Sequence, residues 1–336
     1  MAPALSVLLP YRDAAATLGE ALASVLAQEG PPLEVLAVDD GSTDAGPERV
    51  ARAAACDRRV VPLATEPDAR GLVAALTLAA RHARAPLLAR MDADDVSLPG
   101  RFARQVDAME RDPRLAVLGT RVEAFPAAHV GEGLARYVAW QNSLVTPEDH
   151  ARDLFVESPL CHPSAMIRRD AFEQVGGYRD HGWWEDYDLW LRLWAAGERM
   201  AKLPEVLLRW RHGGGRMTLT SACADPARIR AQKARYLAPW LAARGRPVAV
   251  WGAGPTGRRF ARALEPHGIT TARFVDIDPR KIGRTARGAP IGAPDTLRRG
   301  EQTLVVAVGA RGARALVRDH LTNHGFRETH DFICAA

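Results

Sequence analysis

Cysteine is scarce in this 336-residue chain. Cys56, Cys161, Cys223 and Cys334 are scattered without metal-ligand spacing, which excludes a zinc-binding module and suits a reducing compartment. No apolar run approaches the ~18 residues that would span a bilayer. The opening Met-Ala-Pro-Ala-Leu-Ser-Val-Leu-Leu-Pro has no basic segment ahead of its apolar residues, so no signal peptide is expected and the chain is assigned to the cytoplasm. Lysine is nearly absent: Lys202, Lys233 and Lys281 stand against a combined Lys and Arg total of 45. The arginines that replace it are spread along the chain without an aromatic-interleaved basic cluster, which excludes nucleic acid as the expected partner. A net charge of +5 and a pI near 9.3 leave anionic substrates and anionic lipid surfaces as partners.

What is present is ordinary for a globular protein, with 47% hydrophobic and 25% charged residues, and the length accommodates two domains. Leu5 to Leu9 reads as a buried strand broken by Pro10, followed by a helix with Leu18, Leu22, Val25 and Leu26 at helical spacing. Leu33 to Val38 is a second strand, running into Asp39-Asp40-Gly41-Ser42-Thr43-Asp44. After a helix, Val60 to Leu63 gives a third strand, and Arg70-Gly71 opens another helix. Leu87 to Ala89 is a fourth strand, delivering Asp92, Asp94 and Asp95 at its carboxyl end. Continuous apolar strands alternating with helices predict a parallel sheet covered on both faces. Ligands of such sheets bind outside the carboxyl ends of the strands. Tyr11 and Arg12, Asp39 and Asp40, and the acids from Asp92 to Asp95 should therefore converge on one crevice. Three acids this close repel one another unless a cation sits among them, and a hard divalent ion fits that need.

Further on, Phe102 to Met109 reads as helix and Leu115 to Thr120 as strand, while Phe125 to Thr146 carries no clear period. A second acidic group, Glu185-Asp186-Tyr187-Asp188, opens a helix marked by Leu189, Leu193 and Trp190, Trp194, a position that the helix dipole favours for carboxylates. Pro204 to Trp210 reads as strand and ends in Arg211-His212 and a glycine run, Gly213 to Gly215.

The last third changes character. Asp225-Pro226 has the form of a helix start, and the basic amphipathic helix that follows suits either packing between domains or a membrane surface. A strand then enters Gly252-Ala253-Gly254-Pro255-Thr256-Gly257, and a second strand ends at Asp276. Glycines at 252, 254 and 257 with an acid about 20 residues on have the pattern of a dinucleotide site. With no further catalytic domain for a nicotinamide to serve, hydride transfer is not expected, leaving nucleotide binding or a docking role. The expected boundaries are residues 1–220, a helical linker at 221–244 and a small Rossmann-like domain at 245–336.

Residues 4 to 220 resemble family 2 glycosyltransferases with the GT-A fold. Four motifs in order carry the resemblance: Ser6-Val7-Leu8-Leu9-Pro10-Tyr11, Val38-Asp39-Asp40-Gly41-Ser42-Thr43-Asp44, Arg90-Met91-Asp92-Ala93-Asp94-Asp95, and Glu185-Asp186-Tyr187-Asp188-Leu189-Trp190. It implies an α/β nucleotide-diphospho-sugar transferase fold followed by the small Rossmann-like domain. It also implies that Pro10, Tyr11 and Asp39 shape the donor's base pocket, that Arg70 contacts the nucleotide and that Asp92 faces the ribose. Asp94 would ligate Mg²⁺ or Mn²⁺ with His212 nearby, and Asp186 would be the catalytic base. One base opposite the leaving group implies inversion at the anomeric carbon. Ala69 and Thr77 stand where the family often has Asn, a departure that weakens the nucleotide contacts expected of the helix after Arg70.

The expected reaction moves a sugar from a UDP- or dTDP-sugar to a hydroxyl of a saccharide or lipid-linked acceptor in cell-surface polysaccharide or glycolipid synthesis, with peripheral contact at the inner membrane face. Two rivals stand beside it. A nucleotidyltransferase would place a Gly-rich basic loop after the first strand, where Pro10-Tyr11-Arg12-Asp13 has no glycine. A nucleotide-sugar sensor would have no use for Asp94, Asp186 and His212 together.

Overall fold

A computed structural model describes residues 2–213 and 225–336. They form two compact units: residues 2–150 with 159–213, and residues 151–158 with 225–336.

In the first unit, β1 (Leu5–Tyr11), β2 (Leu33–Asp39), β3 (Val60–Ala64) and β4 (Leu87–Arg90) run parallel in the order β3-β2-β1-β4. All seven residues of β1 and the four of β4 are buried, as expected of strands covered on both faces. The register sets Tyr11 beside Asp39 and Leu8 beside Arg90, so the polar residues emerge along one edge. Helices α1 (Ala15–Leu26), α2 (Gly46–Cys56) and α3 (Leu72–His82) connect these strands.

The other half of the sheet departs from the expected parallel pattern. Beyond β4 it continues through β7 (Met166–Arg168), β6 (Leu115–Phe125), β8 (Arg199–Arg211) and β5 (Val96–Ser97). Strand β7 is antiparallel to both of its neighbours, and β8 is parallel to β6 but antiparallel to β5. Three residues are too few to show a period, which is why β7 left no trace in the sequence. β6 and β8 both outrun their expected ends because they pair with each other as far as Phe125 and Arg211, through three register shifts. The Phe125 ring lies under the guanidiniums of Arg209 and Arg211, 4.3 and 4.4 Å from its centroid. The unreadable stretch after it contains helix α5 (Glu132–Ser143). It buries only Val138 and Gln141 and starts at Gly131 without a side-chain cap, so both usual sequence signals are missing. Lys202 on β8 is buried, donates to the carbonyls of Gln141 and Pro159, and has its pKa lowered to about 7 by burial. The remaining helices of this unit are α4 (Arg101–Arg111), α6 (Pro147–Asp153, which runs into the second unit), α7 (Arg169–Gln174) and α8 (Glu185–Ala195).

The second unit holds a six-stranded sheet in the order β11-β12-β10-β9-β13-β14. Its strands are β9 (Val248–Trp251), β10 (Thr271–Val275), β11 (Thr285–Ala286), β12 (Ala289–Gly292), β13 (Thr303–Val306) and β14 (Phe332–Cys334). All pairings are parallel except β11 with β12. The helix Pro226–Ala242 starts as expected, with the Asp225 carboxylate accepting from the Ala227 amide at 2.9 Å. It buries Lys233, Ala234, Leu237, Ala238 and Leu241. The Lys233 ammonium, whose pKa burial lowers, donates to the Val156 carbonyl at 2.8 Å. Residues 151–158 thus belong to this unit. Their Asp153, 1% exposed, pairs with Arg318 at 2.7 Å. Among the described residues no helix is long and apolar enough to cross a membrane.

Candidate active site

The loops after β1 and β2 are held by their own carboxylates. Asp13, at φ 47°, accepts from the Thr43 amide at 2.7 Å, and Asp44 accepts from the amides of Ala15 and Gly46 at 2.7 and 2.8 Å. Asp39 takes the Ser42 amide at 3.0 Å. Asp40 is buried and reaches across to the Gly71 amide at 2.7 Å, which fixes the start of α3. Gly41, at φ 77°, leaves room for Arg70: a Cβ there would lie 2.5 Å from the guanidinium carbon. Tyr11, Asp39 and Arg70 are therefore brought to the same pair of loops, while Pro10 lies within β1. The Tyr11 hydroxyl is pushed well above its ordinary pKa, first by burial and then by Asp39, Asp44 and Glu48. It stays a neutral donor.

At the end of β4, carboxylate oxygens of Asp92, Asp94 and Asp95 lie within 4.8 Å of one another. An all-oxygen donor set of this density suits a hard divalent cation. The loop that carries them is anchored from β8, where the Arg211 amide donates to Asp95 Oδ1 at 2.7 Å and Arg211 Nε donates to the Asp94 carbonyl at 2.5 Å. His212 is not a member of the acidic group. Its amide bonds the Phe125 carbonyl, its own carbonyl accepts from His129 Nδ1, and its ring lies edge-on to Trp210, 4.3 Å between centroids. Gly214 and Gly215 of the glycine run that follows lie outside the described residues.

Behind the acids sits Arg90, 2% exposed, paired with Asp92 at 2.6 Å. Its Nε and Nη1 find no acceptor among the described residues. Burial works against its charge, but Asp92 first, then Tyr178 and Glu185, hold its pKa above the ordinary arginine value. This guanidinium is the link to the second acidic group, on the first turn of α8. There Glu185 lies 3.3 Å from His162 Nδ1, and His162 Nε2 is 2.8 Å from the Tyr178 hydroxyl. The two neighbouring acids are driven apart. Burial opposes ionisation of Glu185, but the His162 hydrogen bond and charge, with Arg90, leave its pKa lowered. Asp186 is raised to about 6, chiefly by burial and then by the charge of Glu185, against the pull of His162 and Arg90. A carboxylate whose pKa is raised to about 6 beside one whose pKa is lowered is an acid–base arrangement.

The aromatic residues flanking Asp186 divide. Trp183 and Tyr187 are buried against each other, 5.4 Å between rings, and belong to the core, whereas Trp184 is half-buried. Arg90, His162 and Tyr178 carried no role in the sequence reading. Arg90 had a signal, a cation closing an otherwise apolar strand just before three acids. His162 and Tyr178, 16 residues apart and outside any periodic element, had none.

In the second unit, Gly252 and Gly257 are required by packing. A Cβ would lie 2.5 Å from the Ala307 carbonyl oxygen at Gly252, and 1.8 Å from the Gly252 oxygen at Gly257. Gly254 faces open space. Asp276 is 7% exposed and accepts from the Ala253 amide at 2.9 Å, the Asp278 amide at 3.0 Å and Lys281 Nζ at 3.0 Å.

The model of Glycosyl transferase family 2 matches residues 6–176. The amylovoran biosynthesis glycosyltransferase AmsE of Erwinia amylovora is 33% identical over 182 residues, 54% of this chain and 65% of that protein, slightly less than two thirds of its length. The putative glycosyltransferase EpsE of Bacillus subtilis (strain 168) is 33% identical over 214 residues, covering 62% of this chain and 73% of that one. Among solved structures, S. aureus TarS 1–349 in complex with UDP-GlcNAc superposes with a TM-score of 0.55 at 16% identity, over 69% of this chain and 66% of that one. The mannosyltransferase PcManGT of Pyrobaculum calidifontis, in complex with GDP-Man and Mn²⁺, gives a TM-score of 0.50 at 21% identity, over 80% of this chain and 69% of that one. At these identities the two structures speak for the fold alone.

Proposed function

This chain belongs to glycosyl transferase family 2. From that premise we propose that it transfers a sugar, with inversion, from a UDP- or dTDP-sugar to a hydroxyl of a saccharide or lipid-linked acceptor in cell-surface polysaccharide synthesis. The observation that carries this reading is the paired environment of Glu185 and Asp186, which leaves one carboxylate with a pKa of about 6. An attacking hydroxyl must lose a proton, and a base poised near the working pH removes it most effectively. Asp186 is assigned that step. His162, 3.3 Å from Glu185, pulls that carboxyl's pKa down, so that of the two acids Asp186 is the one raised toward the working pH.

The donor side falls to the loops of β1 and β2. Tyr11 and Asp39 would flank the base, with Asp39 accepting from the ring N–H of a uracil or thymine, and Arg70 would lie against the nucleotide. Asp92, its charge balanced by Arg90, would face the ribose. Asp94 would hold Mg²⁺ or Mn²⁺, with His212 close to the diphosphate. That ion would offset charge on the departing diphosphate. The Mn²⁺ in the PcManGT complex and the oxygen-only donor set here support a hard cation in this place. Work on a lipid-linked acceptor would bring the chain to the cytoplasmic face of a membrane as a peripheral protein.

The test is hydrolysis and transfer with a panel of nucleotide sugars in Mn²⁺, Mg²⁺ or EDTA, for the wild type and Asp94→Ala. Metal-dependent turnover of one UDP- or dTDP-sugar, lost in the variant, is expected. Turnover that survives both EDTA and the variant would remove Asp94 from the mechanism.

A further inference from the structure

The second unit contains a cavity of about 450 Å³ that the sugar-transfer chemistry does not use. Five cations line it: Arg258, Arg259, Arg262, Lys281 and Arg287. Two are neutralised within the unit, Lys281 by Asp276 at 3.0 Å and Arg287 by Glu265 at 2.7 Å. Arg258, Arg259 and Arg262 form no ion pair among the described residues. They stand on one helix, Pro255–Leu264, where 258 and 262 are a like-charged i,i+4 pair and 259 and 262 an i,i+3 pair, an arrangement that weakens an isolated helix. Arg258 Nε donates to the Ala253 carbonyl at 2.7 Å and so helps hold the loop, but among the described residues no such contact calls for Arg259 and Arg262 beside it, whereas an anion would.

The wall of the cavity repeats the message. Of the three glycines in the loop, 252 and 257 are needed because a side chain would strike backbone, yet a Cβ on Gly254 would meet nothing within 4 Å. Gly254 also has an ordinary negative φ of −81°. It is the N-cap of the helix, where glycine is favoured over residues with apolar side chains, and its lack of a side chain also leaves the peptide bare for close approach. A dinucleotide reading needs a carboxylate turned toward a ribose diol. Asp276 instead spends its oxygens on the Ala253 and Asp278 amides and on Lys281, bracing the loop from behind. What faces the cavity is cationic, and guanidiniums match phosphate oxygens with paired N–H donors.

The geometry points to a binding site in the second unit for a diphosphate group, held by Arg258, Arg259 and Arg262 over the backbone of Gly254. The diphosphate has two candidate sources, a soluble nucleotide or a lipid-linked diphosphate. The site stands whether or not the first unit transfers sugar.

The experiment is calorimetric titration of the full chain with inorganic pyrophosphate in EDTA, which removes any metal-held diphosphate in the first unit. Saturable binding is expected. The double substitution Arg259→Glu with Arg262→Glu should weaken it at least tenfold with unchanged circular dichroism and melting temperature, and Gly254→Val should weaken it at least tenfold with unchanged circular dichroism. Absence of saturable binding, or equal affinity in wild type and both variants, overturns the site. NAD binding that ignores the arginine substitutions overturns it as well. UDP and vesicles of phosphatidylcholine containing a polyprenyl diphosphate then separate the sources. UDP bound more tightly than pyrophosphate, with that affinity lost in the double variant, names the nucleotide. Sedimentation with the diphosphate vesicles but not with plain ones, lost in the double variant, names the lipid.

Discussion

The two units place opposite charges at the same kind of location. In each, a strand of a parallel array ends in a loop that carries the charged groups. In the first, Asp92 and Asp94 form the front with Asp95 buried beside them, and a buried arginine, Arg90, backs them. In the second, arginines form the front and a buried carboxylate, Asp276, stands behind. The backing group has one job in both: it fixes the loop and offsets part of the frontal charge from a position screened from water. The frontal groups decide what can bind. Acids in front require a cation before a diphosphate can approach, which makes binding conditional on metal. Arginines in front accept the anion directly.

The largest effect is expected in the first unit, at the α8 carboxylate assigned as base. Asp186→Asn should lower transfer by ~10³-fold, in the range typical of lost general-base catalysis, while donor affinity measured by calorimetry stays within a factor of two or so. Near-normal turnover would end the assignment of Asp186. Next comes the backing cation. Replacing Arg90 by Leu removes the ion-pair partner of Asp92 and a positive charge felt by Glu185, a change that costs up to ~3–5 kcal/mol for a buried pair, and should appear in urea unfolding as an early loss of the first unit. A midpoint equal to wild type would show that the backing charge is dispensable and the symmetry superficial.

The glycine loop offers an internal control. Gly257→Ala drives a methyl into the Gly252 carbonyl, and overpacking against backbone should cost ~1–3 kcal/mol or more. Gly254→Ala meets no steric obstacle and should cost no more than ~1 kcal/mol, for a poorer N-cap. Equal losses at the two positions would blur the distinction between a packing glycine and a ligand-facing one.

The smallest effect is a pH profile. With the Asp186 pKa raised to about 6, the base is protonated below that value, so transfer should fall about tenfold for each unit of pH below it and level off above. The stability sign is opposite. A carboxyl whose folded pKa exceeds its unfolded one stabilises the fold at low pH, and that contribution fades as pH rises through about 6. Asp186→Asn should therefore raise the melting temperature at pH 8 more than at pH 5. A uniform shift would assign the difference to packing alone.

Much of this was legible in the sequence because the parallel half of the first sheet is made of short apolar runs, each ending in a polar cluster. Asp39, Asp92, Asp94 and Asp95 follow directly from that rule, as does the placement of Glu185 and Asp186 at a helix start. The antiparallel half was not legible. β7 is three residues long, and β6 and β8 extend into each other through register shifts that no local period encodes. The Arg90–Glu185–His162–Tyr178 network joins residues that only the sheet brings together, so a one-dimensional reading finds its members without their partners. Asp276 was found by spacing, but spacing does not say which way a carboxylate turns.

The scarcity of lysine has a practical consequence once burial is known. Lys202 is 3% exposed and Lys233 7%, so neither meets reagents in solution while the fold is intact. Lys281, 35% exposed at the side chain, lines the arginine cavity. Apart from the α-amino group, an amine-acylating reagent therefore has one accessible target in the native chain, and it lies at the mouth under discussion. The rate at which that single amine is modified becomes a gauge of occupancy, read by mass spectrometry without any knowledge of the ligand.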